Sequence, residues 1–251
     1  MLEKRFACTA CGRCCNGSLP ITMAEAVKWA HVLPLAISIV PVRSNARGQA
    51  IAGRIGTPLK VSKGKDLTLV VSPMSFVPPA MPCPHLADDA LCAIHDDKPL
   101  RCRTMPFNPY KDEGAQSDLL VPKPGWQCET GVEAPVVYRD KRILERGDFD
   151  AELNAIDEQQ PSMRRLITFT VEHNPVIREQ IIGASRSPSG RVVIGFGSLL
   201  RFEKALDPVD YARRQRPVLR HWAERTDGEA KLAEFHRFYR QAERELERYG
   251  P

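Results

Sequence analysis

The 123 residues that follow Cys128 contain no cysteine, although the chain before that point holds eight. Nor does any stretch approach the roughly 18 uninterrupted apolar residues of a membrane-spanning helix. The longest candidate, Val32 to Val42, is broken by Pro34 and Pro41. Met1 to Ala7 lead straight into the first cysteines without the apolar run of a signal peptide. The expected compartment is therefore the reducing cytoplasm, and no membrane partner is expected. The chain also lacks a Gly-x-Gly-x-x-Gly fingerprint, a P-loop, a Gly-x-Ser-x-Gly elbow and a His-Glu-x-x-His pair. Gly195-Phe-Gly197 is too short to imply nucleotide binding. Aromatics are scarce where basic charge is densest. Residues 1–65 carry ten Lys/Arg against two Asp/Glu, but only Phe6 and Trp29 for stacking. That imbalance reads better as compensation for an anionic thiolate centre than as a nucleic-acid surface, which is not favoured.

What is present is a cysteine constellation. Cys8, Cys11 and Cys14 repeat a Cys-x-x-Cys spacing twice, and Cys15 follows at once. Cys83, Cys92, Cys102 and Cys128 follow at intervals of 8, 9 and 25 intervening residues. A short Cys-x-x-Cys loop turns two sulfurs toward one ion, so three thiolates can share a centre. Bacterial ferredoxins begin a cluster site with the same spacing. The pattern then departs from theirs, because adjacent residues project in different directions. Cys15 is therefore expected to serve a second metal, a bridging position or an outer role. Two closed zinc sites of four thiolates each also satisfy the count, although the usual paired Cys-x-x-Cys symmetry is absent. Soft thiolates suit zinc, cuprous copper and iron–sulfur groups alike. All eight cysteines are candidate metal ligands, with Cys128 the least securely assigned. His85 and His95 lie within three residues of candidate ligands and are expected at the surface or behind the ligands. Arg101 and Arg103 flank Cys102, with three roles open to them. They can donate to sulfur, bind an anionic substrate, or pair with the Asp88, Asp89, Asp96 and Asp97 group.

The expected fold class is α+β. An irregular, metal-stapled, Cys/Pro-rich N-terminal module with short strands is expected over residues 1–130. A mainly helical C-terminal half, residues 131–251, is expected to pack on it. Thr22 can cap a short helix that stops before Pro34, Leu67–Val71 reads as a strand, and Leu91–Ile94 reads as a shorter one. Apolar residues from Ile143 and Leu144 through Phe149 to Val171 recur roughly at helical spacing around Pro161, and Arg191–Phe196 reads as a strand. Two further helices follow Asp207-Pro208 and Thr226-Asp-Gly228. The second carries one apolar stripe: Leu232, Phe235, Tyr239, Ala242, Leu246 and Tyr249.

Four segments together resemble the YkgJ-type CxxCxxCC family: Phe6 to Cys15; Cys83-Pro-His-Leu86; Leu91-Cys92-Ala-Ile94-His95; and Lys98-Pro99 through Cys102-Arg103 to Pro106-Phe107. That family is a zinc- or iron-chelating domain of bacterial proteins, and the flagellin lysine methylases carry a similar cluster. The resemblance covers about residues 6–130. It implies metal ions as partners and leaves enzymatic activity open, with no substrate or protein partner named. An iron–sulfur cluster or polynuclear iron is the favoured cofactor and zinc the alternative. His95 stands where the family usually has Tyr, and Lys98 where it usually has Arg.

Overall fold

The computed structural model describes residues 3–43, 46, 49–62 and 65–250, and the side chain of Lys65 is left aside. Its centre is a twisted antiparallel sheet. Strand β3 (Leu35–Arg43) pairs along its whole length with β5 (Lys65–Ser75), from Leu35 opposite Ser75 to Arg43 opposite Leu67. The other edge of β5 takes β4 (Thr57–Ser62) at one end and the two-residue β2 (Leu19–Pro20) at the other. The free edge of β3 takes β8 (Val192–Gly195), so the sheet joins segments from both halves of the sequence. A smaller sheet is made of β1 (Glu3–Arg5), β6 (Val136–Arg139) and β7 (Arg142–Ile143).

Alternation along β5 covers the large sheet on both faces, because successive side chains point to opposite sides. Leu67, Leu69 and Val71 enter the main core, while Val70 packs with Ala52, Ile55 and Ile156 on the other face. Ala52 and Ile55 belong to α2 (Ile51–Ile55), and Ile156 to α4 (Gly147–His173). The main core takes Met163, Leu166 and Ile167 from the second half of α4 and Ile181 from α5 (Pro175–Ala184). It also takes Leu219 and Trp222 from α6 (Pro208–Arg225), and Tyr239, Ala242 and Leu246 from α7 (Ala233–Leu246). The apolar stripe expected on the last helix is therefore packed on the protein's own sheet. The Tyr239 hydroxyl ties it down by donating to the Phe76 carbonyl at 2.6 Å.

The fold is mixed α+β, with strands mostly N-terminal and a helical C-terminal half. The apolar run around Val32 to Val42, read only as too short to span a membrane, forms the central strand β3. Among the described residues, no helix is long and apolar enough to cross a membrane. The strand expected at Leu91–Ile94 is reduced to a single bridge between Leu86 and Cys92. Asp89 accepts from the Leu91 amide and Ala87 donates to the Leu91 carbonyl, so the segment closes a local turn and does not extend.

Two small elements carry the cysteine-bearing loops on this frame. Helix α1 (Met23–Lys28) opens with a capping box in which Thr22 accepts from the Glu25 amide and the Glu25 carboxylate accepts from the Thr22 amide. The second Glu25 oxygen accepts from the Leu100 amide at 2.6 Å, where α3 (Leu100–Thr104) begins. One carboxylate thus joins the start of the sheet region to the helix bearing Cys102. A satellite core of Phe107, Leu120, Tyr138, Ile143 and Phe149 supports the small sheet.

Candidate metal centre

All eight cysteines are unpaired. Cys8, Cys11, Cys14 and Cys15 lie on the loop between β1 and β2, and Cys83 and Cys92 on the long loop after β5. Cys102 is on α3, and Cys128 lies just before β6. Backbone pairing brings these distant segments together. Ala7 and Glu129 form an isolated antiparallel bridge with hydrogen bonds of 2.8 and 3.0 Å, so Cys8 and Cys128 are on adjacent segments. The Thr9 hydroxyl donates to the Gln127 carbonyl at 3.0 Å and fastens the same two segments again. Farther along, Asn16 bridges Pro82, and the Cys83 amide donates to the Cys15 carbonyl at 2.9 Å. The bridge between Leu86 and Cys92 folds the second loop back so that Cys92 approaches Cys83.

Glycine makes this docking close. Gly12 has φ of 69°, and a β-carbon there would lie 2.8 Å from the Ala90 carbonyl oxygen. The first cysteine loop thus rests backbone to backbone on the Cys83–Cys92 loop. Gly17, at φ of 76°, sits against Pro79 in the same way. The Cys15 amide donates to the Gly12 carbonyl at 3.0 Å, which closes the turn carrying Cys14 and Cys15.

The electrostatics of the thiols follow from this packing. Cys14 gives its S–H to Cys15, which raises the Cys14 thiol and lowers that of Cys15. Backbone hydrogen bonds at Arg13 and Gln127 lower Cys11. Burial raises Cys83 and Cys128. Burial, together with the neighbouring thiols Cys83, Cys14 and Cys92, pushes Cys102 up to about 12. Among the described residues, no three His, Cys, Asp or Glu side chains converge closely enough to hold a metal ion. The donor chemistry nonetheless fits a soft metal. Eight free thiols sit on mutually docked loops, and several are held protonated by burial, from which a metal would displace the proton.

The charged neighbours are placed differently from the sequence reading. Arg101 turns away from the Asp88–Asp97 group and lies buried against Glu152 of α4 at 3.5 Å, donating also to the Phe107 carbonyl. Arg103 pairs with Asp148 and Asp97 with Lys28, so neither arginine uses the nearby aspartates. The short turn at His95–Asp97 and the burial of Arg101 toward α4 separate them. His95 is exposed. His85 packs edge-on against Trp29, with ring centres 4.8 Å apart, and its Nε2 is buried without a hydrogen-bond partner among the described residues. Sequence reasoning missed Glu25 and Glu152. The capping pattern Thr22-x-x-Glu25 was a signal for the first, while nothing local marks the second.

Residues 7–123 match the model of the CxxCxxCC family, described as a "Putative zinc- or iron-chelating domain". The resemblance read from the cysteine spacing is thereby borne out. Cys128 and the helices that follow lie outside the matched span. No curated protein and no solved structure matches the chain.

Proposed function

We propose that the zinc- or iron-chelating domain at residues 7–123 holds an iron–sulfur or polynuclear iron centre. Its ligands are drawn from Cys8, Cys11, Cys14, Cys15, Cys83, Cys92, Cys102 and, beyond the matched span, Cys128. One observation carries this reading: eight unpaired cysteines, distant in sequence, lie on loops docked against one another through backbone hydrogen bonds. The twice-repeated Cys-x-x-Cys spacing favours iron, since it matches the opening of ferredoxin cluster sites. When bound, such a group supplies one-electron transfer or Lewis-acid chemistry.

The chain's own residues do the rest. Gly12 and Gly17 permit the close approach of the loops, and Glu25 fixes the start of α3, which carries Cys102 near Cys83, Cys14 and Cys92. Basic residues near the first loop offset the charge that bound thiolates would carry. In our reading the protein works in the reducing bacterial cytoplasm, where this many thiols stay available as metal ligands. No catalytic residue is assigned.

Zinc is the second reading, favoured by a count of eight thiols that would fill two closed tetrahedral sites. The protein would then be a structural or interaction module. The test is anaerobic purification with iron, zinc and acid-labile sulfide quantified per chain, alongside an ultraviolet–visible spectrum. We expect a brown protein with iron and sulfide in matching amounts. A colourless protein holding about two zinc ions would exclude the cluster in favour of zinc, and a protein without either metal would overturn both readings.

A further inference from the structure

The last helix gathers charge of one sign on its outer face. Residues 201–251 hold twelve Lys/Arg against ten Asp/Glu, so a count along the sequence does not reveal it. The helical period sorts the signs. Arg237, Arg240 and Arg244 stand at i, i+3 and i+7 on α7, and Arg248 follows four residues later on the turn Glu247–Tyr249. All four are exposed, whereas Tyr239, Ala242 and Leu246 of the same helix are buried in the core. Arg237, Arg240 and Arg244, with His236 and Gln241, line an open groove that contains no carboxylate and no apolar side chain.

The acids of this helix are neutralised or turned aside. Glu243 is 5% exposed and is shared by Arg240 at 3.5 Å and Arg220 of α6 at 2.8 Å, which leaves one positive charge in excess. Glu245 accepts from Gln241 at 2.9 Å, and its other oxygen lies against Gly195 of β8. Glu234 and Glu247 stand three residues from Arg237 and Arg244 and form no ion pair with them among the described residues. Arg244 donates instead to the Arg240 carbonyl at 3.2 Å, and Arg248 lies over the Tyr249 ring.

Such a face works against the helix that carries it. Like charges three and four residues apart repel, and Arg237–Arg240, Arg240–Arg244 and Arg244–Arg248 are all such pairs. A helix C-terminus favours cations in its last turn, which accounts for Arg244 but not for Arg237, about two turns earlier. A ligand with repeated negative charge would relieve the repulsion, and the groove's composition selects its class. A stable protein interface buries an apolar centre, and a helix lying on a membrane needs apolar side chains beside its cations. The groove offers neither, and none of the large exposed apolar side chains is on α7. A phosphodiester chain is held by cations alone, and the arginine fork matches phosphate oxygens.

We infer that the arginine face of α7 binds a nucleic-acid strand by its phosphates. Arg237, Arg240 and Arg244 span about 10 Å along the helix axis, enough for a short run of phosphates. The inference is independent of the metal reading, because neither α6 nor α7 carries a cysteine.

The test uses the full chain and a fluorescein-labelled oligouridylate, with binding followed by anisotropy between about 50 and 200 mM salt. Affinity should fall steeply across that range. R237Q/R244Q removes two cations that have no carboxylate partner among the described residues, and should weaken binding roughly tenfold or more at low salt. The slope of log affinity against log salt should become shallower by about 1.4, at about 0.7 per phosphate contact on a single strand. R54Q/R139Q, on α2 and β6, should change neither quantity. A wild-type chain that does not bind at low salt, or an unchanged slope in R237Q/R244Q, would overturn the inference. Tighter binding to polyglutamate or to phosphatidylglycerol vesicles would also overturn it, assigning the face to an acidic protein or to a membrane.

Thermal unfolding separates binding from folding. With like-charge repulsion removed, R237Q/R244Q should have a Tm no lower than the wild type. Oligouridylate should raise the Tm of the wild type and leave that of the variant where it is. A variant destabilised without any ligand would show that these arginines serve the fold, and the inference would fail.

Discussion

At the scale of single residues, the thiols are set apart by their surroundings. Only the thiolate is alkylated at an appreciable rate, so reactivity reports the proton. In the metal-free chain Cys15 is lowered by the S–H of Cys14, and Cys11 by backbone hydrogen bonds at Arg13 and Gln127. Cys102 is raised from 9.0 to about 12 by burial and by adjacent thiols. Mass-spectrometric labelling at about pH 8 should therefore modify Cys11 and Cys15 well before Cys102. Labelling of Cys102 should climb only as pH rises from 9.0 toward about 12. The sign for stability is the same. A thiol raised on folding contributes below its unfolded value of 9.0 and loses that contribution as pH climbs to about 12. Equal labelling of all three at low pH would contradict the burial of Cys102. Bound metal should suppress all three reactions together.

At the scale of elements, α3 is a single short turn of helix, and its position depends on long-range polar contacts. Its N-terminus is held by Glu25 and its flank by the buried pair of Arg101 with Glu152, whose side chains are 6% and 4% exposed. Burial raises the Glu152 carboxyl and lowers the Arg101 guanidinium, so each ion tolerates its site chiefly because of the other. Arg101→Met should cost about 3–5 kcal/mol by leaving a lone buried carboxylate. The double variant R101M/E152L should recover most of that loss. The deficit of the single variant should shrink as pH falls toward the ordinary glutamate value of 4.5, where Glu152 takes up a proton. Urea denaturation across that range checks both points, and a double variant as unstable as the single one would show that packing, and not charge, holds α3.

Local signals made some of these elements legible in the sequence. Leu67–Val71 reads as a strand from its own composition, and the three-and-four spacing from Leu232 to Leu246 marks the last helix. The eight cysteines announce a metal site by count and spacing. How the loops that carry them dock was not legible, because it is set by pairings such as Ala7 with Glu129 and Cys15 with Cys83, which no local pattern encodes. The same holds for β3. Its apolar run is as compatible with a buried helix as with a strand until β5 and β8 are found on its two sides.

At the scale of the molecule, the cysteine-bearing loops and the hydrophobic core are separable. The main core contains no cysteine and draws on both halves of the sequence, from Ile37 and Leu69 in the sheet to Trp222 and Tyr239 on the C-terminal helices. Burial of such side chains contributes about 1.5–3 kcal/mol each, which gives the core a source of stability that needs no metal. The loops around Cys8–Cys15, Cys83–Cys92 and Cys128 have no comparable apolar interior, and most of their cysteines are only partly buried. On the proposed reading, ligation is their main source of folding free energy. Chelation of the metal should therefore release the loops and leave the sheet intact. In hydrogen exchange, amides of Cys15, Cys83 and Ala93 should lose protection. Those of Ile37, Val71 and Trp222 should keep theirs, and the core should still unfold in one cooperative transition. Uniform loss of protection would mean that the docked loops transmit the metal's contribution to the whole sheet. The route for that coupling is already visible in Glu25, which bonds to the cap of α1 with one oxygen and to α3 with the other. Repeating the exchange with Glu25→Gln, which weakens both bonds, would then confine the effect of chelation to the loops.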